Sequence, residues 1–274
     1  MQGRQVPRHF ALVFAVLSLS AIFAAAVVAQ ASHRTVLLPR LNVWAWERDE
    51  DLSYIDPSKI KVAYFAGNIY VQGSNVRFRP RTQKLKVPQR TQTIPVFRIE
   101  SIRSDGSIPE LSAAAFVAKT IAKTLNKSSK QERTVQIDFD ALEDERPFYK
   151  ALLRDLREEI PRDTKISVTA LASWLLADKW LERGSADETV AMLFSIGPER
   201  NDVLSRLSKQ TLSNGADIPL SIGISASEAD TNKILLQTDV LGNNRNIYIF
   251  SSRPWTEQRL RAITGAITKE ALAR

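Results

Sequence analysis

The chain has no cysteine and two histidines, His9 and His33. Without cysteine there is no disulfide and no lipid attached through a lipobox thiol. Both histidines fall within the first thirty-three residues. The rest of the chain therefore cannot build a Ser-His-Asp triad, a Cys-His pair, or the usual zinc and haem sites. Acid–base chemistry, where there is any, falls to Asp, Glu, Lys or Tyr. Acidic residues are also unevenly spread. None occurs between Asp56 and Glu100, a span that carries Lys59, Lys61, Arg77, Arg79, Arg81, Lys84, Lys86, Arg90 and Arg98. This span reads either as a solvated face or as a surface for an acidic partner, an acidic glycan or an anionic envelope lipid. No nucleic-acid motif accompanies it, and no nucleic-acid partner is expected.

The first thirty-one residues read as a targeting segment. Arg4 and Arg8 form a positive start, Phe10 to Val28 is apolar apart from Ser18 and Ser20, and Ala29-Gln30-Ala31 fits a cleavage site. The apolar run is long for a signal peptide and only just long enough to cross a bilayer. It is thus either a cleaved signal peptide or an uncleaved anchor. In both cases the remainder is expected to be exported, as a periplasmic or secreted domain.

From residue 38 to 274 the pattern predicts one α/β domain. Eight apolar strands are expected, near 41–47, 60–66, 93–100, 135–140, 166–173, 189–196, 220–225 and 246–251. Helices with apolar stripes are expected from Pro109, over 147–160, from Asp202 to Asn214-Gly215, and from Thr256. The connection after the first strand carries only a short helix, Glu50 to Tyr54. The second helix is replaced by a β-hairpin turning at 72–75. Eight strands in this length predict a single (β/α)8 TIM-type barrel, with an open doubly wound sheet as the alternative.

In "VQIDFDALE" (135–143), alternation puts Val135, Ile137 and Phe139 on one face and Gln136, Asp138 and Asp140 on the other. With the apolar set under the helices, both aspartates point into the barrel, and Asp140 lies nearer its C-terminal mouth. Arg98 and Glu100 alternate inward on the third strand. Glu47, Trp174, Arg253 and Trp255 follow the first, fifth and eighth strands. Rings, arginines and paired carboxylates at a barrel mouth suit a sugar site. On this reading Asp140 and Glu100 are the acid and the base or nucleophile, and Asp138 orients or tunes Asp140. Glu47, Arg98, Trp174, Arg253 and Trp255 bind substrate. The plainer reading makes Asp138 and Arg98 a structural ion pair, Glu47 a strand end, Trp44 and Trp46 core, and Trp255 a staple at a helix start. No cofactor is called for. Two acids on one strand fall short of the roughly six oxygen ligands of a Ca²⁺ site, so no metal is assigned.

The segments "VWAWER" and "IDP" (within 43–57), "RPRTQKLKVP" (79–88), "VFRIES" (96–101), "VQIDFDA" (135–141), "RPFYKALLRDLREEIP" (146–161), "TALASW" (169–174), "AMLFSIGP" (191–198) and "FSSRPW" (250–255) resemble, in this order, the bacterial domain-of-unknown-function family 3142. The resemblance implies a barrel similar to those of glycoside hydrolases. It brings no established activity. The "DFD" of strand four is similar to the D-x-D-x-E signature of chitinase-like barrels, but Leu142 stands where the glutamate would be and Glu143 comes one residue late. Two functions are therefore carried forward. One is a glycoside-hydrolase-like enzyme on an envelope or extracellular polysaccharide. The other is a non-catalytic glycan-binding or scaffold protein on the same barrel. Arg77, Arg79 and Arg81 alternate on one hairpin face, where they would repel one another unless an anion sits between them.

Overall fold

The structure is a computed structural model that describes residues 40–104, 106–127, 133–175, 180–197, 200–209, 217–237 and 246–272. The targeting segment 1–31, with both histidines, lies outside the described residues, as does the expected helix end at Asn214-Gly215. Contacts divide the chain into Met1–Leu37, all outside that set, and Leu38–Arg274, which holds the barrel. Among the described residues no helix is long and apolar enough to cross a membrane.

The strands are β1 (Arg40–Ala45), β2 (Glu50–Asp51), β3 (Ile60–Gln72), β4 (Asn75–Pro80), β5 (Leu85–Lys86), β6 (Thr93–Ser101), β7 (Thr134–Asp138), β8 (Lys165–Leu171), β9 (Glu188–Met192), β10 (Leu220–Ser225) and β11 (Asn246–Phe250). The helices are α1 (Leu111–Lys127), α2 (Arg146–Glu159), α3 (Arg200–Lys209), α4 (Ala229–Gln237) and α5 (Glu257–Leu272). Strands β1, β3, β6, β7, β8, β9, β10 and β11 pair in parallel in that order. Strand β1 pairs on both sides, Leu41 with Ile247 of β11 and Val43 with Val62 of β3, so the sheet closes. The closed eight-stranded barrel is the predicted one, and the open sheet is excluded.

Residue alternation explains the layering. Phe139, on the outer face just past β7, meets Phe148 and Tyr149 of α2 at ring distances of 6.0 and 5.3 Å. Helix α2 buries Phe148, Tyr149, Leu152, Leu153 and Leu156, each worth roughly 1.5–3 kcal/mol. Pro147 opens its first turn without loss of a helical bond, and the extended Ile160 before Pro161 ends it. Helix α1 presents Ala113, Ala114, Val117, Ala118, Ile121 and Ala122, a mostly small-residue stripe that suits close packing. Inside the barrel, Trp44, Ala63, Ile94, Val96, Val190 and Tyr248 form a separate apolar cluster.

Three expectations are corrected. The segment from Glu50 is not a helix. Glu50–Asp51 pairs in parallel with Leu85–Lys86, and the Asp51 carboxylate accepts both the N–H and the hydroxyl of Ser53, a local turn that competes with helix. The hairpin replaces the second helix and turns at 72–75 as expected, but the second barrel strand does not stop at residue 66. Strand β3 runs unbroken for 13 residues, pairing first with β1 and then, above the end of β1, antiparallel with β4. A register shift between Phe65 and Gly67 lets it keep pairing with β6 throughout. Finally, α4 stands between β10 and β11, where the sequence had suggested no helix. Its apolar stripe is short, with Leu235 as its fully buried anchor.

Candidate functional site

A cleft of about 670 Å³ opens at the C-terminal mouth of the barrel. One wall is aromatic. Trp44 and Trp46 rise from β1, Phe194 follows β9, and Phe250 ends β11. Phe194 and Phe250 stack at 5.2 Å and 10°, and Phe194 meets Trp44 edge-on at 6.0 Å. The opposite wall carries the polar groups Arg98, Asp138, Asp140 and Thr169.

Asp138 is buried. It accepts 2.8 Å hydrogen bonds from Arg98 Nη1 and from the Thr169 hydroxyl. Arg98 reaches Asp140 and Glu100 at 3.5 Å each, so one guanidinium stands among three carboxylates. Burial works against the Arg98 charge, but the three acids outweigh it and raise its pKa. Asp140 sits differently. Its side chain is 41 % exposed yet lies down in the mouth. Burial first, then the neighbouring Asp138 charge, push its carboxyl above the ordinary aspartate value, with Arg98 pulling the other way. One carboxylate is thus locked in an ion pair, and its neighbour holds a proton more tightly than an ordinary aspartate does.

Beneath the cleft a chain of hydrogen bonds fixes the floor. Trp44 Nε1 donates to Gln136 Oε1 at 2.7 Å, Gln136 donates to Ser167, and Ser167 donates to Glu188. Glu188 also accepts from Ser221, Asn246 and Tyr248. Gly223 leaves room for the indole, since a Cβ there would lie 2.8 Å from Trp44.

The structure therefore brings Arg98, Asp138, Asp140 and, at the rim, Glu100 together. It places the other candidates elsewhere. Trp174 is buried against Tyr149 and Trp180, at 6.4 and 4.9 Å, in the layer outside the barrel. Trp255 is buried, its indole donating to the Trp44 carbonyl at 2.8 Å and its backbone N–H to Glu50. Neither ring lines the cleft, because both follow their strands at outward positions. Glu47 is paired with Arg79. Arg253 is exposed beyond β11, its backbone held by Ser251.

The three hairpin arginines do not wait for an anion. Arg77 lies over the Tyr70 ring at 4.6 Å. Arg79 takes Glu47, which raises its pKa. Arg81 donates to the carbonyls of Trp46, Gln83 and Arg48, tying β4 to the end of β1. The residues missed in the sequence are Phe194, Phe250 and Thr169. Parity along β8, where Thr169 lies two residues past Ser167, could have found the last. It could have found the other two as well: Phe250 lies two residues past the inward Tyr248 on β11, and Phe194 two past Met192 of β9, which also lines the cleft. Among the described residues no group of three or more His, Cys, Asp or Glu is placed to hold a metal.

Comparison with known proteins gives fold but not activity. A crystal structure assigned as chitinase A from Streptomyces coelicolor aligns with a TM-score of 0.55 at 10% identity, covering 86% of this chain and 99% of that one. The Bacillus cereus spore cortex-lytic enzyme SleL gives 0.43 at 16% identity, over 69% of this chain and 51% of that one. A Rhizomucor miehei chitinase gives 0.42 at 12%, over 68% of each. No curated protein matches the chain. The protein is a TIM-type (β/α)8 barrel, and its residues 95–202, from within β6 to the start of α3, match the family described as Domain of unknown function (DUF3142), which the sequence resemblance had named.

Proposed function

We propose that this barrel is an exported enzyme that cleaves a polysaccharide of the cell envelope or its surroundings, with Asp140 as general acid. One observation carries the reading. A carboxyl with a raised pKa stands in an aromatic-walled cleft, beside a second carboxylate that Arg98 and Thr169 hold in place. The protonated Asp140 gives its proton to the glycosidic oxygen as the bond to the anomeric carbon breaks. Asp138 stays fixed and lends negative charge to the cationic sugar. Glu100, on the neighbouring strand, activates water or attacks as nucleophile. The faces of Trp46, Phe194 and Phe250 supply apolar surface for sugar rings.

The test is turnover on a panel of glycans, with oligosaccharides resolved by chromatography. Asp140→Asn should lower kcat at least a hundredfold with little change in KM, the scale of losing a general acid. Wild-type activity should fall as pH rises through the Asp140 pKa, because the acid must be protonated. Unchanged turnover in Asp140→Asn removes the assignment.

A second reading rests on Leu142. It is 55% exposed in the turn after β7, where chitinase-like barrels carry the acid of their signature. On this reading the barrel binds glycan without cleaving it. Binding would then survive Asp138→Asn with Asp140→Asn, and no product would form on any glycan.

A further inference from the structure

The opposite end of the barrel carries a second set of charges. Arg40, Lys61 and Lys165 stand at or near the N-terminal ends of β1, β3 and β8. Each lies on the inward parity of its strand, two residues before Asn42, Ala63 and Ser167, which all face the interior. Register brings them round one opening. Lys61 lies beside Asn42, and Arg40 beside Asn246. Lys165 lies beside Thr134, and Glu188 beside Ser167.

Glu188 is the acid of this layer, and it is already engaged. Both its oxygens accept hydrogen bonds, from Ser221 and Asn246 on one and from Ser167 and Tyr248 on the other, all four within 2.8 Å. All four donors are neutral. Among the described residues no hydrogen bond or ion pair ties the side chain of Arg40, Lys61 or Lys165. Lys61 is half-buried, while Arg40 and Lys165 are exposed. Three cations thus stand on three strands at one end of the barrel, over a layer whose acid, Glu188, has its acceptor positions filled. Burial first, then Arg40, lower the Lys61 pKa below the ordinary lysine value, with Lys165 acting the same way and Glu188 opposing.

We propose that the N-terminal mouth of the barrel binds a phosphate-type oxyanion, held by Lys61 at its base and by Arg40 and Lys165 at its rim. Such an anion would offset the mutual repulsion of the cations and give the half-buried Lys61 ammonium a charged acceptor. The Thr134 hydroxyl, on the same inward parity, would offer a further donor. The ligand is either free phosphate or a phosphate carried by a lipid headgroup.

The site is independent of the cleft, and its test does not depend on glycan turnover. The melting temperature of the full chain is followed against inorganic phosphate, with ionic strength held constant by sodium chloride. A saturable rise is expected, following mass action. Lys61→Gln and the exposed Lys165→Gln should each weaken the apparent affinity about tenfold, whereas Asp140→Asn should leave it unchanged. Sedimentation with phosphatidic acid vesicles, against phosphatidylcholine vesicles, assigns the source. Lys165-dependent pelleting points to a headgroup, and a phosphate response without pelleting points to the free ion. A rise that chloride alone reproduces, or that survives intact in both lysine variants, overturns the site.

Discussion

Asp138 has two donors, Arg98 and Thr169, and one of them carries charge. Removing Arg98 leaves a buried carboxylate with a hydroxyl as its one remaining partner. Arg98→Met should therefore destabilise the fold by about 3–5 kcal/mol, the scale of breaking a buried pair from one side. Urea denaturation at neutral pH reads this, and an unchanged midpoint would mean that solvent reaches Asp138 freely. Asp140 gives the opposite sign. Its folded pKa lies above the unfolded value, so the folded state binds the extra proton and loses stability as pH rises through that interval. Asp140→Asn removes the ionising group. It should raise the melting temperature at neutral pH and leave it unchanged below the ordinary aspartate pKa. A rise of equal size at both pH values would place its cause elsewhere.

Two glycines define how elements approach one another. Gly223 on β10 faces the barrel interior, where a Cβ would meet the Trp44 ring at 2.8 Å and Phe194 at 3.3 Å. Gly223→Ala should cost about 1–3 kcal/mol, the usual range for overpacking. It should also alter the near-ultraviolet circular dichroism of the cleft aromatics, since both rings must move. Gly67 on β3 sits where β4 crosses back, and a Cβ there would lie 2.5 Å from the Arg79 carbonyl oxygen. That obstacle is backbone, which gives way less than a flexible side chain. The close approach of β4 to β3 thus depends on Gly67, and Arg81 then donates to the carbonyls of Ala45 and Trp46 at the end of β1.

Barrel closure makes the first and last elements partners. Trp255, at the entry to α5, hydrogen-bonds the Trp44 carbonyl of β1 and the Glu50 side chain. Trp255→Ala should cost about 3–5 kcal/mol, as for other large aromatic deletions. Trp255→Phe, which keeps most of the bulk, should cost about 1 kcal/mol for the lost indole hydrogen bond. If closure couples the two ends, far-ultraviolet circular dichroism and tryptophan fluorescence should report one coincident transition in both variants. Separate transitions would mean that α5 melts independently of the barrel.

The eight-strand order, the inward parity of Arg98, Asp138 and Asp140, and the exclusion of histidine and cysteine chemistry beyond residue 33 all come from local pattern. Period-two alternation is a property of neighbouring residues, so it was legible for Gln136, Asp138 and Asp140. The Arg98–Asp138 pair was also among the sequence's readings. What the sequence could not supply was the partners of the hairpin charges. Arg77, Arg79 and Arg81 alternate as an anion site would. Yet Tyr70, Glu47 and the β1 carbonyls satisfy them, and those groups lie across a hairpin or on another strand. Trp174 and Trp255 follow strand ends as cleft residues do, but each stands on the outward parity of its strand, with Ala170 and Ile249. Tertiary structure decided what each ring packs against, Trp180 and the Trp44 carbonyl outside the barrel and the stacked Phe194–Phe250 pair at the mouth. It also gave neighbouring aspartates different roles, because Arg98 and Thr169 converge on Asp138 while Asp140 is left near the mouth with a raised pKa.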